Sequence, residues 1–180
     1  MKKMKRLVAV LLAGIMALAM LTACGGTGND AATAKFEASV EQAYMAKLNE
    51  KFGENFENDA AIENDAAIKK LAVEHIEEMA NNETLSMDEL WKKEELSEKA
   101  QNWVMICYDV NQGTGKAYVK SSYEAGKAET IETKNIDTFF SLAQMKRANV
   151  AKKAKFTALG VGAKTINGKT YVAIGFRVEG

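Results

Sequence analysis

Asn167-Gly168 lies between two apolar-rich runs, residues 156–166 (FTALGVGAKTI) and 169–178 (KTYVAIGFRV), and no other feature of the chain limits its fold as tightly. Asn-Gly supplies the two positive-φ residues of a two-residue hairpin turn, so the runs are predicted to pair antiparallel in a register set by that turn. Residues 103–110 (WVMICYDV) are apolar on both alternating faces, as a strand covered on two sides would be. Residues 116–123 (KAYVKSSY) are expected to be their hairpin partner across a turn at 111–115. Two glycine patterns here mimic nucleotide loops. Gly160-Val-Gly162 has no third Gly and no following helix, and Gly113-Thr-Gly-Lys116 lacks the upstream Gly and the Ser or Thr after Lys. Both read as strand and turn.

The rest of the chain carries a helical period. Residues 34–52 place Phe36, Val40, Tyr44, Leu48 and Phe52 at intervals of four. The hexapeptide ENDAAI occurs at 57–62 and again at 63–68, too few copies for a solenoid, and reads as a local duplication in a loop or helix start. Ile68, Leu71, Ala72, His75, Ile76 and Met79 then form one apolar stripe, which puts the only His of the chain on a core-facing side. A lone His there is expected to be buried and hydrogen-bonded, with no second His to share a metal. Ser86-Met-Asp-Glu89 has the capping-box pattern and predicts a third helix from Ser86 to about Asn102, with KKEELSEK as its solvated face. Residues 136–153 return to helical spacing. Three helices, two strands, a helix and two strands predict an α+β chain: a three-layer α-β-α sandwich around a mainly antiparallel sheet.

Charge narrows the location. Lys2, Lys3, Lys5 and Arg6 precede an uncharged run at 7–23 (LVAVLLAGIMALAMLTA), the n-region and h-region of a secretory signal. The run ends in L-T-A-C-G-G, which resembles the lipobox of bacterial lipoproteins, where cleavage before the Cys is followed by its lipidation; Cys24 is the Cys in question. The expected organisation is a signal peptide at 1–23, lipidated Cys24 and a flexible tether at 24–34, and one domain at 35–180. Two acyl chains give a lasting anchor. The zero net charge of the whole chain argues against nucleic acid as a partner, and the processed chain would hold 20 basic and 24 acidic residues, a net charge of −4, which suits a domain that does not itself cling to anionic lipid. Cys107 would be its one unmodified thiol, which excludes an intrachain disulfide, and its apolar setting predicts a buried, unreactive side chain.

A family resemblance rests on the second half of the chain. Residues 140–176, FSLAQMKRANVAKKAKFTALGVGAKTINGKTYVAIGF, resemble the end of bacterial CAP (SCP-like) domains, the cysteine-rich secretory protein, antigen 5 and pathogenesis-related group. The family ending runs W-x-x-S-P-x-H-R-x-N-I, a spacer, G-V-G, then a hairpin with G-K-x-Y and a closing Phe. Arg147, Asn149, Val150, Phe156, Gly160, Gly162, Gly168, Lys169, Tyr171 and Phe176 carry the match. Upstream, residues 70–87 are similar to the helical run A-x-x-H-x-x-x-M-A-x-N-x-x-x-S-H.

The resemblance implies a CAP-like fold, and its departures imply the loss of a metal site. The family's cavity holds a divalent ion through two His and acidic groups. Those positions fall here on Met87, Lys146 and Gln101, while the Trp and Ser before the second His become Phe140 and Ala143. A thioether, an ammonium and an amide are poor metal ligands. The expectation is therefore a lipid-anchored, non-enzymatic binding module of a bacterial, Gram-positive envelope, with no catalytic residue, metal or cofactor. Its partner would be an envelope protein, peptidoglycan or a small ligand, besides the membrane reached through Cys24. The alternatives are an envelope hydrolase acting on peptide or peptidoglycan, pairing His75 with Ser121, Ser122 or Ser141, and an unrelated α+β lipoprotein.

Overall fold

A computed structural model describes residues 28–53, 62–107, 109–110, 117–118, 122–124, 131–151 and 153–180. The elements follow in the order α1 (Gly28–Phe52), α2 (Ala66–Met79), β1 (Thr84–Leu85), β2 (Trp91–Glu95), β3 (Ala100–Ile106), β4 (Asp109–Val110), β5 (Ala117–Tyr118), β6 (Ser122–Glu124), α3 (Ile136–Val150), β7 (Lys155–Ile166) and β8 (Lys169–Glu179). The chain is α+β with an antiparallel main sheet. β8 pairs with β7 along one side from Ile166↔Lys169 to Lys155↔Glu179, and on its other side with β3 and, further along, β6. β2 pairs outside β3. A second, small sheet joins β1, β5 and β4.

The turn between β7 and β8 forms as its sequence requires, with φ of 52° at Asn167 and 76° at Gly168. Strand alternation then divides the core. Val104, Ile106 and Ala173 meet Ile68, Leu71, Ala72 and Ile76 of α2. Met105, Val172, Ile174, Phe176, Leu159 and Val161 meet Val40, Tyr44, Leu48 and Phe52 of α1 and Phe139 of α3. Both helical stripes read from the sequence thus face the core, on opposite faces of one sheet, with Phe36 and Met79 half-buried at their ends.

The Gly-Val-Gly run owes its glycines to the approach of α2. A Cβ on Gly160 would stand 2.6 Å from Ile68 Cβ, and one on Gly162 would stand 2.9 Å from Ala72 Cβ. Asp65 caps α2, its Oδ1 accepting from the amides of Ala67 and Ile68 at 3.0 Å. The outward edge of β7 is satisfied by side chains and by one amide instead of another strand. Asn64 exchanges two hydrogen bonds with the backbone of Val161, and the Asp65 amide donates to Leu159 O. The Ala163 and Thr165 amides donate to Glu41 and Glu37 of α1. β2, at the other edge, carries Lys92, Lys93, Glu94 and Glu95, charges that discourage a further strand.

Several expectations need correction. No third helix spans 86–102: residues 87–90 form a turn, and the remainder is β2, a tight bend and the start of β3. The capping box nevertheless closes, the Ser86 amide donating to Glu89 Oε2 at 2.8 Å and the Glu89 amide to Ser86 Oγ at 3.4 Å. A local motif formed without a helix because pairing of β2 on β3 covers Trp103 and Met105, a gain from distant sequence that local helix propensity does not match. Residues 103–110 are likewise not a single strand paired with 116–123. β3 ends at Ile106 between β2 and β8, and among the described residues 109–110 pair with 117–118 while 122–124 pair with β8. α3 ends at Val150, and α1 begins at Gly28, inside the segment read as a tether. Cys24, the first ENDAAI copy up to Ala61, the turn expected at 111–115 and Ser121 lie outside the described residues.

Two substitutions test this packing. Ile76→Ala, at a fully buried site, is expected to cost about 2–5 kcal/mol in urea unfolding. Gly160→Ala, which must displace Ile68 or the α2 backbone, is expected to cost roughly 1–3 kcal/mol or more. Losses below about half a kcal/mol at both sites would remove α2 from the sheet.

Candidate binding site under the third helix

The face of the sheet beneath α3 carries a row of rings packed edge to face. Phe156 and Phe176 have centroids 5.2 Å apart, Phe176 and Trp91 6.3 Å, and Trp91 and Trp103 6.1 Å, with interplanar angles of 77–88°. Phe52 extends the row toward Phe140 and Phe156. Its members come from different elements, but Trp91, Trp103 and Phe176 share a face because Trp91 and Trp103 lie two ladder positions apart and Trp103 is paired with Phe176. Such pairs contribute about 0.5–1.5 kcal/mol each beyond area burial.

Cations sit on this row. Lys146 Nζ lies 4.6 Å from the Trp103 centroid and 5.3 Å from that of Trp91. Lys93 Nζ is 5.5 Å from Trp103, and the Arg147 guanidinium is 5.8 Å from Phe156. Trp103 Nε1 donates to Gln101 Oε1 at 3.3 Å, which fixes the indole that Lys146 covers. Two of the three positions carried over from the metal-binding family, Gln101 and Lys146, therefore meet at one Trp. The third, Met87, is exposed in the turn before β2. Donors of this set do not fit a divalent ion, and an ammonium spanning both indoles repels one. Among the described residues no group of three or more His, Cys, Asp and Glu stands together.

Lys146 and Gln101 were legible only as departures from a family pattern. Trp91 was missed, because the run around it looked helical. Its available signal was the short hairpin bend at 96–100, where Ser97 Oγ accepts from the Ala100 amide at 3.1 Å.

His75 is 2% exposed on α2, across the sheet from α3. Its Nε2 donates to Leu90 O at 3.1 Å, tying α2 to the turn before β2. Nδ1 has no hydrogen-bond partner and faces Glu78 Oε2 at 3.9 Å, while Glu78 pairs with Lys92 at 2.6 Å. Burial pulls the imidazole below its usual range, against the hydrogen bond to Leu90 and the pull of Glu78. Ser141 donates to Asp137 O on α3, and Ser122 lies in β6. Neither hydroxyl is hydrogen-bonded to His75.

Cys107 is fully buried beside the Tyr44 hydroxyl, which lies 3.0 Å from that of Tyr123. Burial pushes the thiol up to about 12, so almost none is thiolate at neutral pH. Among the described residues no helix is long and apolar enough to cross a membrane.

The lowered imidazole predicts a pH dependence. Unfolded His75 takes up a proton near pH 6.5 and the folded residue only at lower pH, so stability present above 6.5 is lost as pH falls toward the folded value. Urea unfolding is expected to show a smaller loss between pH 7 and 5 for His75→Gln than for the unaltered chain. Glu41, raised by burial against its Lys69 partner, works with the opposite sign above pH 4.5, but in both proteins alike. An identical slope in the two would mean that His75 does not titrate differently on folding. Comparison of the chain with protein-family models, curated proteins and solved structures returns no match, so the geometry of α3 and its aromatic row carries the functional reading.

Proposed function

We propose that this chain is a lipid-anchored, extracytoplasmic binding module whose domain is a CAP-like three-layer α-β-α sandwich that has exchanged a metal site for a cation-capped aromatic platform. The observation that carries this reading is Lys146. At the position of the family's second His, an ammonium lies over Trp91 and Trp103, and Gln101, at the acidic position, holds the second indole. The helices on both faces of the antiparallel sheet support the sandwich. The N-terminal run ending at Cys24 supports the anchor.

The hydrolase alternative would need a nucleophile activated by His75. Its Nε2 hydrogen is engaged by a carbonyl, and its Nδ1 faces a carboxylate. A binding role fits these contacts better than general base catalysis.

Two measurements test the proposal. Cys24→Ala is expected to shift the protein from the membrane fraction to the soluble or precursor fraction; normal processing and membrane retention of the variant would overturn the anchor. Zinc or magnesium at millimolar concentration is expected to leave the melting temperature unchanged, whereas a micromolar site would add about 4 kcal/mol. One tightly bound zinc per chain would overturn the loss of the metal site.

A further inference from the structure

Residues 146–155 (KRANVAKKAK) hold five cations and no acid. Of the four whose side chains are described, Lys146 and Arg147 are half-buried on the last turn of α3, and Lys153 and Lys155 are exposed where the chain enters β7. Lys155 lies opposite Glu179 in the β7–β8 ladder. For Lys146, Arg147 and Lys153 no carboxylate among the described residues lies within salt-bridge distance. The carbonyl end of α3 amounts to about half a negative charge, well short of three cations.

Ring faces hold Lys146 and Arg147 but do not neutralise them. Arg147 is also fixed in direction: Nε donates to Gln144 Oε1 at 3.0 Å and Nη1 to Ala154 O at 2.7 Å, and among the described residues Nη2 has no acceptor. Beside it opens a depression of about 210 Å³ lined by Arg147, Ala154, Lys155 and Phe156. That is room for several waters or one tetrahedral anion. Partial burial weakens screening by water, so an anion arriving here gains more than it would at a fully solvated lysine.

The geometry points to a phosphate-binding site at the α3–β7 junction, with Arg147 as the oriented donor, Lys155 in the same lining and Lys153 as exposed charge two residues before it. A phosphate suits it better than a carboxylate, because it carries nearly two charges and more acceptor oxygens than a single fork uses. The phosphate belongs either to a small phosphorylated molecule or to a lipid headgroup. The site stands on α3 and β7 alone and goes beyond the anchored, CAP-like reading, so either can fail without the other.

The test uses the full chain in neutral-detergent micelles, titrated with inorganic phosphate by calorimetry and, separately, with micelles doped with phosphatidylglycerol. Saturable phosphate binding is expected, weakened about tenfold by Lys153→Gln and by Lys155→Gln, and unchanged by Lys70→Gln on the exposed face of α2. Lys153 is exposed, so its variant reads charge without disturbing the fold; unchanged urea unfolding checks this for both variants. Binding with the same variant dependence, but only to doped micelles, supports the site and assigns the phosphate to a headgroup. Absence of binding in both arms up to about 10 mM, a range in which millimolar affinity would be visible, overturns the proposal. So does binding that all three variants leave alike.

Discussion

The closeness of α2 to the sheet is the constraint on which much of the fold depends. Ile68 enters a shallow trough made by Gly160 and Gly175, and Ala72 faces Gly162. Because a Cβ at these points would clash with Ile68, Ala72 or the α2 backbone, the glycines let α2 seat where Ile68, Leu71 and Ile76 pack with Val104, Ile106 and Ala173. Seating α2 there also brings Asn64 and Asp65, just before it, to the edge of β7. Lys69 then reaches Glu41 of α1, whose other oxygen accepts from Ala163. One close contact thereby aligns two helices and seals a strand edge. A carboxylate as buried as Glu41 would be costly alone, and the ammonium and amide partners offset that cost.

The parts legible in the sequence were those encoded by nearby residues. The i, i+4 stripe of α1, the stripe of α2 and the Asn167-Gly168 turn each specify their own geometry within a few positions, and each formed. The segment from 86 to 102 was misread because its helix signals were also local, the reciprocal Ser86–Glu89 bonds among them. What overrode them was the ladder between Trp91–Glu95 and Gln101–Met105, together with two Trp rings that needed each other. The candidate site suffered the same way. Lys146 could be singled out, but its meaning depended on indoles brought together from strands that no short window of sequence joins.

The aromatic row explains how the Lys146 ammonium can sit half-buried without a carboxylate beside it. A half-buried lysine costs desolvation, and two indole faces return on the order of 1–2 kcal/mol, more than either would alone. The same rings are core residues for α3, since Phe176 touches both Phe139 and Trp91. The cation-capped face and the hydrophobic core are therefore one continuous structure here.

Cys107 gives the molecule a built-in record of its own opening. Its sulfur is fully buried between sheet and helix, and its thiol is held far from the reactive state. In an oxidising compartment it stays inert as long as the core stays closed, and no dimer forms through it. Tyr44 of α1 is hydrogen-bonded to the thiol, so parting α1 from the sheet is one event that exposes it. The speed at which a thiol reagent finds Cys107 thus measures how often the interior comes apart, a clock for core breathing that needs no added probe.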